Sequence, residues 1–294
     1  MRGRFATLIG IVVAVLALNA IGVAPASAAT IPLKSVKGFS TPPVFSSENK
    51  QAQAFCQDGL RVVGGGAQVS GSNHVVIVEA RPFVNAGQDS YLVTAIEDQT
   101  HPTEQWAVSA FVLCAPQPPG WEIPPGVNGN PTSNAVGSLT SPCPAGKAVT
   151  GSGGLVQGVT ASTNGEVDLG LIPTTTGFAT SSTVIAKEDA DGFTGQYQLF
   201  SSVVCATVNF SPVDNLSDLV VATGSVTGTG PQHVSVTCPS GYGVTGVNGF
   251  SSAPGTHVIS FKPTTNDAPT AAEVAAVSGI GSTWTLTAYA YCAR

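Results

Sequence analysis

The chain has 294 residues, of which 11 are basic and 17 acidic, giving a formal net charge of −6 with only 10% of residues charged. That balance argues against nucleic acid or anionic lipid as a partner, because either needs a basic face for counterion release or surface attraction. Low charge together with 34 glycines and abundant Ser, Thr and Val excludes disorder from excess charge and suits many short strands joined by tight turns.

Arg2 and Arg4 precede an unbroken apolar run over residues 8–18, and Ala26, Ser27 and Ala28 supply a small-x-small pattern. Charge, a short greasy stretch and a cleavage site predict a secretory signal peptide over residues 1–28, cut after Ala28. A membrane span needs about 20 apolar residues, and Asn19, Gly22 and Pro25 interrupt this one. Without the leader, nine basic side chains face seventeen acidic ones, a net charge near −8. A secreted, extracellular protein with no transmembrane helix after cleavage is expected.

Beyond an N-terminal segment over residues 29–50, which supplies a leading strand, self-similarity is the strongest signal. Cys56, Cys143 and Cys238 are each followed by Gly at the third position, Val at the sixth and Gly at the eighth. Each copy continues through a β-rich run stopped by proline, at Pro82, Pro173 and Pro263. Each closes with an aromatic residue (Trp106, Tyr197 or Trp284) eight positions before a second cysteine, which alanine follows. The copies are set at residues 51–115, 135–208 and 218–294. A Pro/Gly-rich linker over 116–134 separates the first two, and a shorter one over 209–217 the last two.

Six cysteines allow fifteen pairings. The repeat selects Cys56 with Cys114, Cys143 with Cys205, and Cys238 with Cys292. Each bridge is worth on the order of 4 kcal/mol if loop entropy dominates. No Cys-x-x-Cys or nearby Cys/His set suggests a metal cluster. Alternating apolar and polar residues predict five or six strands per copy, although residues 272–277, rich in Ala, also suit a helical turn. The fold class is therefore all-β: three disulfide-stapled modules, packed as a pseudo-threefold β-prism or standing as small sandwiches in tandem.

The pattern Cys-Pro-x-Gly-x-x-Val-x-Gly-Gly, closed by Trp-x-Leu-Thr-Ala-Tyr-Ala-x-Cys-Ala, resembles a module common in secreted proteins of actinobacteria. It is best kept at Cys238 and over residues 284–293, and weakest where Tyr197 replaces tryptophan and where Cys56 lacks a following proline. A fainter likeness is to the egg vitelline-membrane outer-layer protein, whose shorter repeats build a β-prism. Neither resemblance implies a catalytic residue or cofactor.

Chemistry-bearing residues are few. His74, His101, His233 and His257 occupy no position shared by all three copies, and no nucleophile elbow is present. Glu188, Asp189 and Asp191 before Gly192 resemble the start of a calcium loop, but the distal glutamate is missing, so a hairpin turn is the favoured reading. Trp106, Tyr197 and Trp284 are expected in the core, and Trp121, in the first linker, at an exposed contact. Turns that differ between copies, at residues 70–73, 162–165 and 253–255, are the expected seat of specificity. No catalytic, cofactor or metal site is therefore assigned. The reading is a non-enzymatic binding or structural protein of the cell exterior, with an unknown polysaccharide or protein ligand. A lectin-like module, calcium-assisted or not, is the alternative, and an extracellular hydrolase a more distant one.

Overall fold

A computed structural model describes residues 33–39, 46, 48–85, 87–97, 104–158, 167–174, 177, 179–189, 192–207 and 219–294. The proposed signal peptide, the 209–217 linker, His101, Asp191 and the 162–165 turn lie outside these residues. Every regular element described is a strand. In chain order they are β1 (Lys34–Phe39), β2 (Lys50–Phe55), β3 (Leu60–Ser70), β4 (Val75–Asn85), β5 (Gln88–Glu97), β6 (Ala107–Pro116), β7 (Val127–Asn128), β8 (Val136–Pro142) and β9 (Lys147–Gln157). There follow β10 (Val167–Pro173), β11 (Ser181–Glu188), β12 (Gln198–Thr207), β13 (Leu219–Gly228), β14 (Gln232–Thr237), β15 (Gly243–Ser251), β16 (Thr256–Pro263), β17 (Ala271–Ser278) and β18 (Trp284–Ala293). The Ala-rich stretch within β17 is thus strand, held by antiparallel pairing to both β14 and β16.

The strands assemble in antiparallel triplets whose centre strand carries the second cysteine (β1-β6-β3, β7-β12-β9 and β13-β18-β15) or follows the proline-stopped run (β2-β5-β4, β8-β11-β10 and β14-β17-β16). Each cysteine-bearing triplet has the same irregularity: Val62, Val149 and Val244 oppose Cys114, Cys205 and Cys292, next to a shift in register. The bridges are Cys56–Cys114, Cys143–Cys205 and Cys238–Cys292, spanning 58, 62 and 54 residues. Three disulfides in one fold fit an oxidising compartment.

Triplets then join across copies. β3 pairs with β16 through Ala67 and Phe261, and β4 with β9 through Ala80 and Gly154, giving two six-stranded sheets. The other two triplets remain three-stranded, so four sheets surround a shared interior. This corrects both expected architectures. Tandem sandwiches are ruled out because each large sheet draws on two copies. A threefold prism would need a third six-stranded wall, and β10 and β15 form no ladder. At that seam the Phe250 ring lies against Gly170, where an added Cβ would meet Cδ2 at 2.9 Å. At the joined seams the corresponding residues, Gln68 and Leu155, stand opposite Ser260 and Glu79. Residues 116–134, expected as a linker, instead run along β12: Glu122 bridges Cys205, β7 pairs with β12, and Thr132 bridges Tyr197.

One apolar cluster runs from Leu33 to Cys292 and draws on all three copies. At its centre the repeated glycines meet. A Cβ on Gly64 would sit 2.3 Å from the Thr245 carbonyl oxygen and 2.8 Å from the Gly246 Cα, and one on Gly151 would sit 2.5 Å from the Gly64 Cα. Only glycine permits so close a backbone approach. Beside it, Thr150 Oγ1 donates to the Val63 carbonyl (2.9 Å) and Thr245 Oγ1 to the Thr150 carbonyl (2.7 Å). A buried polar knot also ties the copies: Asn248 Nδ2 donates to Ser152 Oγ (2.9 Å) and to the Tyr291 hydroxyl (3.1 Å), while Tyr91 donates to the Ser152 carbonyl (3.1 Å). Satisfied groups of this kind fix one arrangement, because any slip leaves them unpaired out of water.

Candidate functional site

Among the described residues, a broad concavity lies over the six-stranded sheet β2-β5-β4-β9-β12-β7. It is a groove of about 540 Å³, within the range of ligand sites of roughly 300–1,000 Å³. β4 contributes Arg81 and Phe83, two residues apart and so on one face of the strand; β12 contributes Phe200 and Ser202 by the same rule. Between them β9 carries Gly153, where a Cβ would lie 2.3 Å from the Arg81 Cα, so the lack of a side chain lets β4 close in. The segment leading to β7 forms the far wall with Trp121, Ile123 and Pro124, and Gly126 leaves room for the Phe200 ring.

Two arginines are built into this groove. The Arg61 guanidinium carbon stands 3.6 Å from the Trp121 ring centroid, and Nε donates to Asp89 Oδ2 at 2.8 Å. Asp89 is buried and also accepts from the Val62 amide (2.8 Å). Trp121 is itself fixed, its Nε1 donating to the Val62 carbonyl (2.8 Å). Arg81 lies 5.2 Å from both the Phe83 and Phe200 ring centroids. Its Nε donates to Glu79 Oε1 (2.8 Å), whose second oxygen accepts from Thr94 Oγ1 (2.5 Å). Guanidinium-on-ring stacking contributes roughly 0.5–1 kcal/mol at exposed sites and more when water is excluded. Glu122, at the rim, pairs with Lys147 at 2.8 Å.

Among the residues singled out by sequence, Trp121 and Pro82 reach this groove. Trp106, Tyr197 and Trp284 are buried, at 0%, 1% and 2% exposure, as core anchors. Trp106 donates to Glu97 (2.9 Å), whereas Trp284 Nε1 has no hydrogen-bond partner among the described residues. The acidic turn behaves as a turn: Asp189 Oδ1 accepts from the Gly192 amide at 2.9 Å. Glu188 is largely buried at the end of β11, and no group of three metal-ligating side chains occurs among the described residues. His74 sits in a shallow hollow with Ser72 and Glu104, which are hydrogen-bonded to each other. His233 faces Glu273 at 3.5 Å. His257 Nδ1 meets Asp168 Oδ1 at 2.6 Å in the interior. These three histidines therefore keep separate company.

The His257–Asp168 contact belongs to a buried cluster at the open seam. Lys187 Nζ donates to the carbonyl and hydroxyl oxygens of Ser251 (3.1 and 2.9 Å) and of Thr256 (both 3.2 Å), and stands 4.0 Å from Asp168. Burial lowers its pKa from the ordinary lysine value, and Asp168 pulls the other way. The adjoining void is about 10 Å³, room for one water at most. The arrangement pins the 251–256 turn.

Sequence reasoning missed Arg61, Arg81 and Phe200. A signal did exist: two of the three arginines beyond residue 28, Arg61 and Arg81, fall in the first copy, where the proline-stopped run of the others has Ile172 or Lys262 beside its proline. The chain matches no protein-family model, and no curated protein matches it.

Proposed function

We propose that the chain is a secreted, non-enzymatic binding protein that holds an extracellular polysaccharide in the groove of Trp121, Arg61, Arg81, Phe83 and Phe200. The carrying observation is the pair of arginines stacked on exposed-side rings in one concavity, a combination of flat apolar platforms and fixed donors suited to polyhydroxylated chains. The leader pattern around Arg2, Arg4 and Ala28 supports export, and the three disulfides agree with it. The repeat serves as scaffold in this reading, with the ligand on a copy-specific face. The test is a glycan array probed with the wild-type protein and W121A, with and without chelator. Binding that falls at least tenfold in W121A and ignores the chelator is expected. Binding undiminished in W121A overturns the assignment of the groove, and loss of binding with chelator supports the calcium-assisted lectin instead.

A further inference from the structure

Resting on that reading of the groove, we infer that its ligand is an acidic polyhydroxylated polymer, whose oxyanions meet the outer edges of Arg61 and Arg81. An arginine offers five N–H donors in a rigid planar fork matched to carboxylate or phosphate oxygens. Here each guanidinium carbon lies over aromatic rings, at 3.6 Å for Arg61 and 5.2 Å for Arg81, and Nε is occupied by Asp89 or Glu79. The supporting carboxylates are hidden, with 2% and 7% side-chain exposure, while the arginines keep 31% and 20%. The anion is thus withdrawn behind the cation it orients. Both arginines line the groove, so an oxyanion entering it meets preorganised donors whose ordering cost is already met by the fold. Glu122, which also lines the groove, is paired with Lys147 at 2.8 Å, and flat apolar residues of the lining (Pro82, Phe83, Phe200) suit the faces of sugar rings. Carboxylates and phosphodiesters share this fork chemistry and are two sources of one contact.

Calorimetric titration of the secreted protein tests it, with polygalacturonate, poly(glycerol phosphate), and polygalacturonate whose carboxyls have been reduced to alcohols. At least tenfold tighter binding of a charged polymer than of the reduced one is expected, and the charged polymer that binds identifies the oxyanion. R81Q should weaken that binding tenfold or more. R61K, which keeps a cation beside Asp89 and so preserves folding, should weaken it as well, because the fork is lost. Equal affinity for charged and reduced chains, or full affinity in both variants, overturns the inference while leaving the groove as a sugar site. No binding of any chain, with Trp121 emission unchanged, overturns the groove reading itself.

Discussion

Replacing Gly151 with alanine should be far more damaging than its single added methyl suggests. The new Cβ would stand 2.4 Å from the Val63 carbonyl oxygen and 2.5 Å from the Gly64 Cα. Both contacts fall about 1 Å inside ordinary van der Waals separation. Neither neighbour is a side chain able to change rotamer; both are backbone of β3, which pairs with β6 on either side of the irregularity at Val63. Overpacking a core usually costs 1–3 kcal/mol, and an immovable wall puts this case at the upper end, about 3 kcal/mol. For a chain of this size each kcal/mol moves the melting temperature by about 2–4 °C, so G151A should melt about 6–12 °C lower. The control is G281A, where an added Cβ meets nothing within 4 Å and φ is not positive; loss of unfolded-chain freedom should make it neutral to slightly stabilising, by up to about 1 kcal/mol. Calorimetry with near-ultraviolet circular dichroism reads both. A G151A protein melting within 2 °C of wild type would refute the claim that the three copies meet backbone to backbone at this point.

Three further outcomes follow from the interior. V63T should be neutral or stabilise by up to about 1 kcal/mol, because a hydroxyl there completes the chain in which Thr150 donates to the Val63 carbonyl and Thr245 to the Thr150 carbonyl; a loss above 1 kcal/mol in urea unfolding would show that it finds no acceptor. K187M should cost about 3 kcal/mol, since it removes the buried cation facing Asp168, which keeps only His257, and the donor to the oxygens of Ser251 and Thr256; the double variant D168N/K187M should recover part of that loss, and failure to do so counts against the pairing. Burial pushes the Tyr291 phenol from its ordinary 10.0 up to about 12, despite bonds to Ser152, Ser182 and Asn248 that pull it down. Its folded value lies above the unfolded one, so the stabilisation is complete below pH ~10 and is lost as pH rises toward 12. That amounts to about 3 kcal/mol over the window. Urea midpoints that stay flat between pH 9.5 and 12, or that fall equally in Y291F, would contradict this.

The disulfides were legible because three aligned copies convert a fifteen-way choice into one. The strands were legible from alternation, and even the Ala-rich β17 could be read through its counterpart over residues 181–186. What sequence could not supply was the pairing between copies. Gly64, Gly151 and Gly246 are marked by spacing as special, yet nothing in a spacing says that they face one another. At the split between β10 and β15, Phe250 lies against Gly170, where its equivalents Gln68 and Leu155 oppose Ser260 and Glu79, and that difference is readable only once the opposite strand is known. The residues 116–134 look like a tether by Pro and Gly content, but a strand at a sheet edge tolerates proline because one side of it needs no ladder. The groove arginines were passed over for a related reason: turns that vary between copies drew attention, whereas the concavity forms on strand faces, where β4 of one copy meets β9 and β12 of the next.

The seams between copies bear on how the chain reaches its native state as it emerges from the N-terminal end. Residues up to Pro116 contain every strand of the β1-β6-β3 and β2-β5-β4 triplets, in which β3 and β4 are borders whose outer edges the first copy leaves unpaired. β4 waits for β9, but β3 waits for β16, some 190 positions downstream by the pairing of Gln68 with Ser260. Throughout that interval an open border is a template for any passing strand, including one from a second molecule. Late contacts of this sequence separation are slow to form, and the bridge between Cys56 and Cys114 can close long before them. Oxidation of the first copy therefore holds a half-finished sheet in shape until the last copy arrives to cover it.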